Sequence, residues 1–188
     1  IRYDPATDLA QLAADATKLD FAFNILHGLN GEDCTMQGFI DLLKVPYQGS
    51  GVLGSAIAMD KHLSKELYRL NGQPVADRQI IGKNDEINIE ELTARFDLPV
   101  VIKPVREGSS LGLTLAETKE QLMDGIDKAQ KHGSRIMIEK YLKGQELTVG
   151  VFGNSELRAL PVIEIIPGEQ SSFFDYDAKY KPGACEEI

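Results

Sequence analysis

The stretch PVVIKPVREGSSLG, residues 99–112, decides how the rest of the chain is read. Pro99 has no N–H for a ladder, so it can only open a strand. Val100, Val101 and Ile102 are β-branched and suit a buried strand. Lys103 puts a cation at the strand's end, and Pro104 stops the strand from continuing. Gly108, Ser109, Ser110 and Gly112 follow, with backbone able to come close to a ligand and hydroxyls able to bond one. A lysine beside a donor-rich loop is a way to hold a polyphosphate. An ordinary strand, a solvated lysine and a Gly/Ser turn fit these residues equally well, so the surrounding chain has to decide.

Around this stretch, the polar segment 73–98 carries a strand at Ile80-Ile81 and a helix over Ile89–Phe96. After it, Glu117–Lys131 is a helix capped from Leu115-Ala116, with Leu122, Ile126 and Ala129 on one side. Arg135–Glu139 (RIMIE) is a strand ending in a carboxylate, and Leu147–Phe152 is another. Gly153-Asn154 turns tightly, and Leu157–Ile166 returns as a strand. Residues 75–166 therefore predict β-α-β-α-β-β-β, a sheet with helices on one side in α+β layers. Pro167–Ile188 is polar and aromatic without a clear period, and is long enough for a functional loop such as a lid.

Nearer the start, residues 5–18 predict a helix, with Asp4 as cap, Pro5 in the first turn, and Leu9, Leu12, Ala13 and Ala16 on one face. Phe21–Leu26 (FAFNIL) predicts a strand, followed by the turn His27–Asp33, the usual place for a site in an open α/β sheet. Met36–Leu43 reads as a short amphipathic helix, and Val45-Pro46-Tyr47 as extended. Val52–Met59 is apolar nearly all round and predicts a buried helix. After the Asp60-Lys61 break, Lys61–Leu70 predicts a helix with Leu63, Leu67 and Leu70 inward and Lys61 and Lys65 one turn apart. Asn71-Gly72 ends it.

The chain has 188 residues, 43% hydrophobic and 26% charged, in the range of a globular protein. A net charge of −9 argues against general binding to nucleic acid or anionic membrane, while leaving room for a local anion site. No apolar run approaches the roughly 20 residues that cross a bilayer, and residues 1–10 lack the pattern of a signal peptide. Cys34 and Cys185 stand far apart without a partner motif and read as two reduced thiols of a cytosolic protein, with one disulfide as the alternative. Three histidines without CxxC or HxxxH spacing argue against zinc.

Four constellations carry possible chemistry. Lys65 and Lys103 with the 106–112 loop can hold a triphosphate. Glu139-Lys140-Tyr141-Leu142 with Glu146 joins a strand end to a linker whose backbone edges can pair with an adenine, Glu139 accepting from its amine and Glu146 from a ribose. His27 stands with Glu32 and Asp33 after a strand. Tyr176, Lys179 and Tyr180 lie on the terminal segment, where they can close over a substrate. Each also has a plain reading as solvated charge or packing.

Taken together, HGLNGEDCTMQG (27–38), VPYQGSGVLGSAIAMDKHLSK (45–65), PVVIKPVREGSSLG (99–112), IEKYLKGQELTVGVFGN (138–154) and FFDYDAKY (173–180) resemble the D-alanine–D-alanine ligases, ATP-grasp enzymes of peptidoglycan synthesis. They run through most of the chain in the family's order. The resemblance implies an ATP-grasp fold, α/β in class. Residues 1–60 would belong to an open α/β N-terminal domain, 61–150 to a central antiparallel-sheet ATP-binding subdomain, and 151–188 to the start of a C-terminal subdomain with the lid. It implies that Lys65 and Lys103 bind ATP phosphates and Ser110 and its loop close over them. Glu139, Lys140, Tyr141 and Leu142 would frame the adenine, with Glu146 on the ribose. His27 would lie near the first D-alanine and the acyl phosphate. Ser109 and Tyr180 would close the site, and Lys179 would approach the phosphates from the lid. It implies a cytoplasmic homodimer acting on D-alanine and ATP, with no nucleic-acid or membrane partner.

Cys34 stands where the family usually has glycine. The family's opening glycine-rich segment, its catalytic arginine, its magnesium (or manganese) ligands and its second-substrate loop have no counterpart between Ile1 and Ile188, so the chain reads as a fragment with its metal ligands elsewhere. D-alanine–D-lactate or D-alanine–D-serine ligation and a non-catalytic nucleotide-binding module remain the alternatives, the lid sequence DYDAKY favouring the dipeptide.

Overall fold

The protein is described from a computed structural model over residues 1–167 and 185–187. Its chain divides into two compact units, Ile1–Val75 with Val105–Gly108, and Ala76–Pro104 with the chain from Ser109 onward.

The second unit holds a four-stranded antiparallel sheet in the order β1-β4-β2-β3. The strands are β1 (Arg78–Gly82), β2 (Val100–Pro104), β3 (Thr114–Ala116) and β4 (Arg135–Lys140). Alternation along β2 and β4 turns Val100, Ile102, Ile136 and Ile138 to one face. There they are sealed by Leu92 and Phe96 of α5 (Ile89–Phe96) and Leu122, Ile126 and Ala129 of α6 (Lys119–Gln130). The other face carries the charged groups considered below.

Two sequence expectations shift here. Thr114–Ala116 is a strand, not a cap, and α6 starts at Lys119 behind Thr118. Thr118 Oγ1 accepts from Gln121 N–H at 3.2 Å while Gln121 Oε1 accepts from Thr118 N–H at 3.2 Å. That reciprocal cap fixes the helix start more strongly than the apolar period does. The strand count over 75–166 accordingly gains β3, giving β-α-β-β-α-β-β-β.

A second antiparallel sheet follows in the order β5-β6-β7, from β5 (Glu146–Phe152), β6 (Arg158–Pro167) and β7 (Cys185–Glu187). The register of β5 against β6 shifts between Val149 and Val151. All seven residues of β5 are exposed.

The first unit is built from α1 (Leu9–Asp15) running into a 3₁₀ turn (Ala16–Lys18), α2 (Thr35–Leu42), α3 (Val52–Met59) and α4 (Lys61–Leu70). Its core gathers Met36, Ile40 and Val45 with Leu19, Leu26 and Phe39 packed against them. The first helix begins later than its periodicity suggests. Asp4 Oδ1 accepts from Ala6 N–H at 2.9 Å, and Asp8 Oδ2 accepts from Asp4 N–H at 2.9 Å, holding the chain through Pro5 in a turn.

Phe21–Leu26 does not form the expected strand; it makes one parallel bridge, Ala22 to Tyr47. Side chains take over its backbone groups instead. Gln48 Oε1 accepts from Asn24 N–H at 2.9 Å, and Asn24 Oδ1 accepts from Leu26 N–H at 3.0 Å. The bounds of α3 and α4 agree with the sequence, but their burial does not. Leu53 is 73% exposed and Leu70 70%, and none of α4's leucines is buried.

Candidate active site

The face of the first sheet opposite α5 and α6 collects charge. Antiparallel register sets Lys103 against Met137 and Val101 against Glu139, so Lys103 and Glu139 are diagonal neighbours on one face. Their side chains form an ion pair between Lys103 Nζ and Glu139 Oε1. Glu139 is only 7% exposed. A carboxylate so placed needs a charged partner, because desolvation penalises an unpaired ion heavily. On the other side of β4, Arg78 of β1 lies directly opposite Glu139. Glu139 thus sits between two strands that each bring a cation to its face. The sequence reading missed Arg78, since the pairing of β1 with β4 joins residues far apart in the chain.

After Lys140 the chain leaves the sheet. Lys140 N–H donates to Asp77 O at 3.0 Å, and Tyr141 N–H points to Pro99 O at 3.4 Å. Those two donors are used internally. Leu142, 66% exposed, has a backbone N–H that carries no hydrogen bond among the described residues. Glu146 opens β5 opposite Ile165 and is exposed.

The 105–112 loop is backbone-constrained. Ser109 and Ser110 take φ of +50° and +57°, a left-handed conformation uncommon for side-chain-bearing residues, and Gly112 follows at +71°. Leu113 N–H closes the turn onto Ser110 O at 3.1 Å. Within the first unit, Lys61 fastens the loop's early part. Its backbone N–H donates to Val105 O at 3.0 Å, and its ammonium donates to Glu107 O. The spacing of Lys61 from Lys65 in the sequence gives no sign of this loop contact, which joins residues 46 apart. Lys65 lies one turn further along α4, half-buried. Lys65 and Lys103 belong to different units.

Within the first unit, the His27 turn lines an open cleft of about 370 Å³ together with Asn24, Leu26, Glu32, Gln37 and Gln48. Glu32 Oε2 accepts from Gly28 N–H at 2.6 Å. Gly108 lies against this turn, and a Cβ there would come within 3.3 Å of Gly28 Cα. At Gly31 a Cβ would meet Leu26 Cβ at 2.5 Å, so the chain crosses itself there at a distance only glycine permits. Gln37, at 7% exposed, was absent from the sequence reading. Its Nε2 donates to Gly31 O at 2.8 Å, and its buried Oε1 has no hydrogen-bond partner among the described residues.

Asp33 is held below its ordinary carboxyl value. Burial pushes it upward, but hydrogen bonds with the backbone at Asn30 and Thr35 outweigh that. Cys34 then enters α2 at φ +86°, the conformation glycine takes most readily. His27 itself is exposed.

Tyr176, Lys179 and Tyr180 fall outside the described residues. Among the described residues, no group of three or more His, Cys, Asp or Glu side chains is placed to hold a metal ion, and no helix is long and apolar enough to cross a membrane.

Comparison with known proteins covers both units. A family model described as D-ala D-ala ligase N-terminus matches residues 4–50, and one described as D-ala D-ala ligase C-terminus matches residues 67–187. A D-alanine–D-alanine ligase of Desulfotalea psychrophila is 57% identical over all 188 residues, which span 58% of that protein's length. The solved D-alanine–D-alanine ligase of Bacillus anthracis complexed with ATP superposes with a TM-score of 0.77 at 31% identity, over 97% of this chain and 56% of that one. The VanG D-Ala:D-Ser ligase of Enterococcus faecalis gives a TM-score of 0.77 at 36% identity, over 90% of this chain and 49% of that one. The fold, with its α+β layers, is the ATP-grasp fold of these ligases. With one family model on the His27 cleft and another on the Lys103–Glu139 sheet, the chain belongs to the D-alanine–D-alanine ligase family.

Proposed function

We propose that the protein containing this chain joins two D-alanines to D-alanyl-D-alanine, consuming ATP, as a step in making peptidoglycan precursors. The observation that carries the nucleotide half of this reading is the buried Lys103–Glu139 ion pair on the charged face of the first sheet, at the entrance to a loop with two left-handed serines. The 57% identity to a ligase carries the reaction half.

The reaction needs a carboxylate made reactive toward an amine. A carboxylate oxygen of the first D-alanine attacks the γ-phosphorus of ATP. The bond from that phosphorus to its β-bridging oxygen breaks, and ADP leaves. The resulting D-alanyl phosphate is attacked at its carbonyl carbon by the amine of the second D-alanine. Phosphate departs, and the amine's proton is released. Negative charge spreads over the transferring group, so cations and N–H donors aimed at it lower the barrier.

In this reading Lys65 and Lys103 hold the phosphates, and Ser110 with its loop covers them. Glu139, Lys140, Tyr141 and Leu142 frame the adenine, the Leu142 N–H being the donor left available for a ring nitrogen, and Glu146 takes the ribose. His27 faces the first D-alanine. Ser109, Lys179 and Tyr180 close the site against water. A divalent ion, Mg²⁺ or Mn²⁺, supplies charge neutralisation at the phosphates when bound. Among the described residues no group of three or more His, Cys, Asp or Glu side chains is placed to hold it.

Residues 1–60, 61–150 and 151–188 serve in this reading as parts of the N-terminal, central and C-terminal lobes of a cytoplasmic homodimer. Phosphate release with ATP and D-alanine, compared with D-serine or D-lactate as second substrate, tests the reaction. Dipeptide formation is expected with D-alanine alone. Preference for D-serine would favour the second reading, to which the likeness to the D-Ala:D-Ser ligase lends support, and ATP binding without phosphate release would leave a nucleotide-binding module. Lys103→Ala in the complete protein is expected to lower kcat/KM by about 10²-fold or more; wild-type turnover would remove Lys103 from the site.

A further inference from the structure

We propose that Gln37 is a positioning residue for the first substrate: its buried carboxamide ties the turn that carries His27 to helix α2. The inference rests on the reading that His27 faces the first D-alanine, and it gives a part in that binding to a side chain the reading leaves out.

His27 is exposed, so its place at the cleft is set by the backbone on either side of it. After it, Gly28 O accepts from the N–H groups of Gly31 and Glu32 at 3.2 and 2.8 Å, which closes a tight turn. Before it, the Asn24 carboxamide bridges the two limbs. Its Oδ1 accepts from Leu26 N–H at 3.0 Å, and its Nδ2 donates to Gly31 O at 3.1 Å. These bonds make residues 24–32 one piece. Two side chains from outside hold that piece: Gln48 bonds Asn24 at its entry, and Gln37 Nε2 donates to Gly31 O at 2.8 Å at its exit. Gln37 is 7% exposed and stands beside Met36 on α2, in the packed core of this unit. Gly31 O therefore spends its two lone pairs on Asn24 and Gln37. Met36 N–H adds a backbone bond to Asn30 O at 3.2 Å, which a change of side chain leaves in place. Loss of the Gln37 donor thus strips a buried carbonyl of one partner and loosens the turn without undoing it.

The test is steady-state kinetics of the complete protein, each KM measured with the other substrate saturating. Gln37→Met keeps the length of the side chain but has no donor. It is expected to raise the KM for D-alanine about tenfold and to leave the KM for ATP within about twofold. His27→Ala is expected to raise the D-alanine KM too, and the double variant to be no worse than His27→Ala alone, because Gln37 acts through His27. Gln37→Glu is the sharper variant. Ionised, its carboxylate sets an acceptor against Gly31 O; protonated, its O–H donates there again. Burial raises such a carboxyl, and Gln37 Oε1 has no hydrogen-bond partner among the described residues to steady a charge. The D-alanine KM of Gln37→Glu relative to wild type is expected to fall from about tenfold at about pH 8.5 toward parity at about pH 6. His27, Glu32, Asp33, Cys34, Asp41 and Tyr47 are the titratable groups on the elements around Gln37, and the ratio to wild type removes their part. Should Gln37→Met fold poorly, Gln37→Glu at the two pH values carries the comparison.

Equal rises in both KM values, or a Gln37→Glu ratio that stays flat with pH, would overturn the proposal and leave Gln37 a packing residue. An unchanged D-alanine KM in Gln37→Met, beside a raised one in His27→Ala, would overturn the proposal alone. A wild-type D-alanine KM in His27→Ala would remove the His27 reading and the proposal with it, so the two failures are told apart.

Discussion

Beneath α5 and α6, the first sheet is held by apolar contact: Val100, Ile102, Ile136 and Ile138 are sealed away from water with Phe96 and Leu122. Around His27 apolar packing is thinner: Leu26 rests on the small cluster of Met36, Ile40 and Val45. Phe23 and Ile25 are exposed, and the chain is kept in place by Asn24, Gln37 and Gln48 bonding backbone groups and by a close crossing at Gly31. Both regions present groups assigned to the site. One gains its rigidity from area removed from water, the other from a few directional bonds and one steric fit. A packed layer resists any single loss of a polar contact but suffers from a cavity. A bonded turn tolerates the loss of exposed apolar area but not a misplaced methyl group.

The largest effect expected from this difference is on the packed side. Phe96→Ala empties one of the largest fully buried side chains and is expected to cost about 3–5 kcal/mol in denaturant unfolding of the complete protein. Leu53→Ala, on the apolar but exposed α3, is expected to cost about 0.5 kcal/mol or less. Equal losses would mean that α3 is buried in the working protein and would erase the contrast. Next comes Gly31→Ala. Its Cβ would stand 2.5 Å from Leu26 Cβ and 2.8 Å from Leu26 C, so backbone must move, at a cost of about 2 kcal/mol. The shift also displaces Gly31 O, the acceptor for both Asn24 and Gln37, so nuclear magnetic resonance signals of those two side-chain amides are expected to move while those of β4 stay put. Movement in both regions would show that they are not separately held. Thr118→Ala removes one half of the reciprocal cap on α6 and is expected to cost about 1 kcal/mol by the same unfolding measurement. A loss near that of Phe96→Ala would mean the cap, and not the packing, keeps α6 on the sheet.

The same contrast explains what could be read in the sequence. The helix Ile89–Phe96 and the bounds of α3 and α4 follow from periodicity and from the breaks at Asp60 and Asn71, and the structure agrees. Burial of Leu63, Leu67 and Leu70 does not follow, because a pattern marks which face is apolar and not whether anything covers it. Phe21–Leu26 has strand composition, yet Gln48 reaches its backbone from 24 residues away, which no local pattern records. In the candidate site, Lys103 and Glu139 were each legible at a strand end. Their pairing and the approach of Arg78 depend on the registers of β2, β4 and β1, which only the folded sheet fixes.

Cys34 offers the smallest effect and the sharpest probe of the bonded turn. It enters α2 at φ +86°, and its side chain makes no capping bond, so nothing visible in the turn offsets a left-handed conformation that costs a side-chain-bearing residue about 1–2 kcal/mol. Glycine removes that cost but gives back part of it through the greater freedom of the unfolded chain, about 0.4–1 kcal/mol. Cys34→Gly is therefore expected to stabilise by about 0.5–1 kcal/mol, a rise of roughly 1–3 °C in Tm for a chain of this size. Cys34→Val, β-branched at the same angle, should move Tm the other way by more. If Cys34→Gly leaves Tm unchanged while Cys34→Val lowers it, the thiol makes a packing contribution equal to its strain. The turn would then resemble the sheet more than its hydrogen bonds suggest. If both leave Tm unchanged, the turn opens before the rest of the protein unfolds, and its geometry is set by bonds that melt independently of the packed layer.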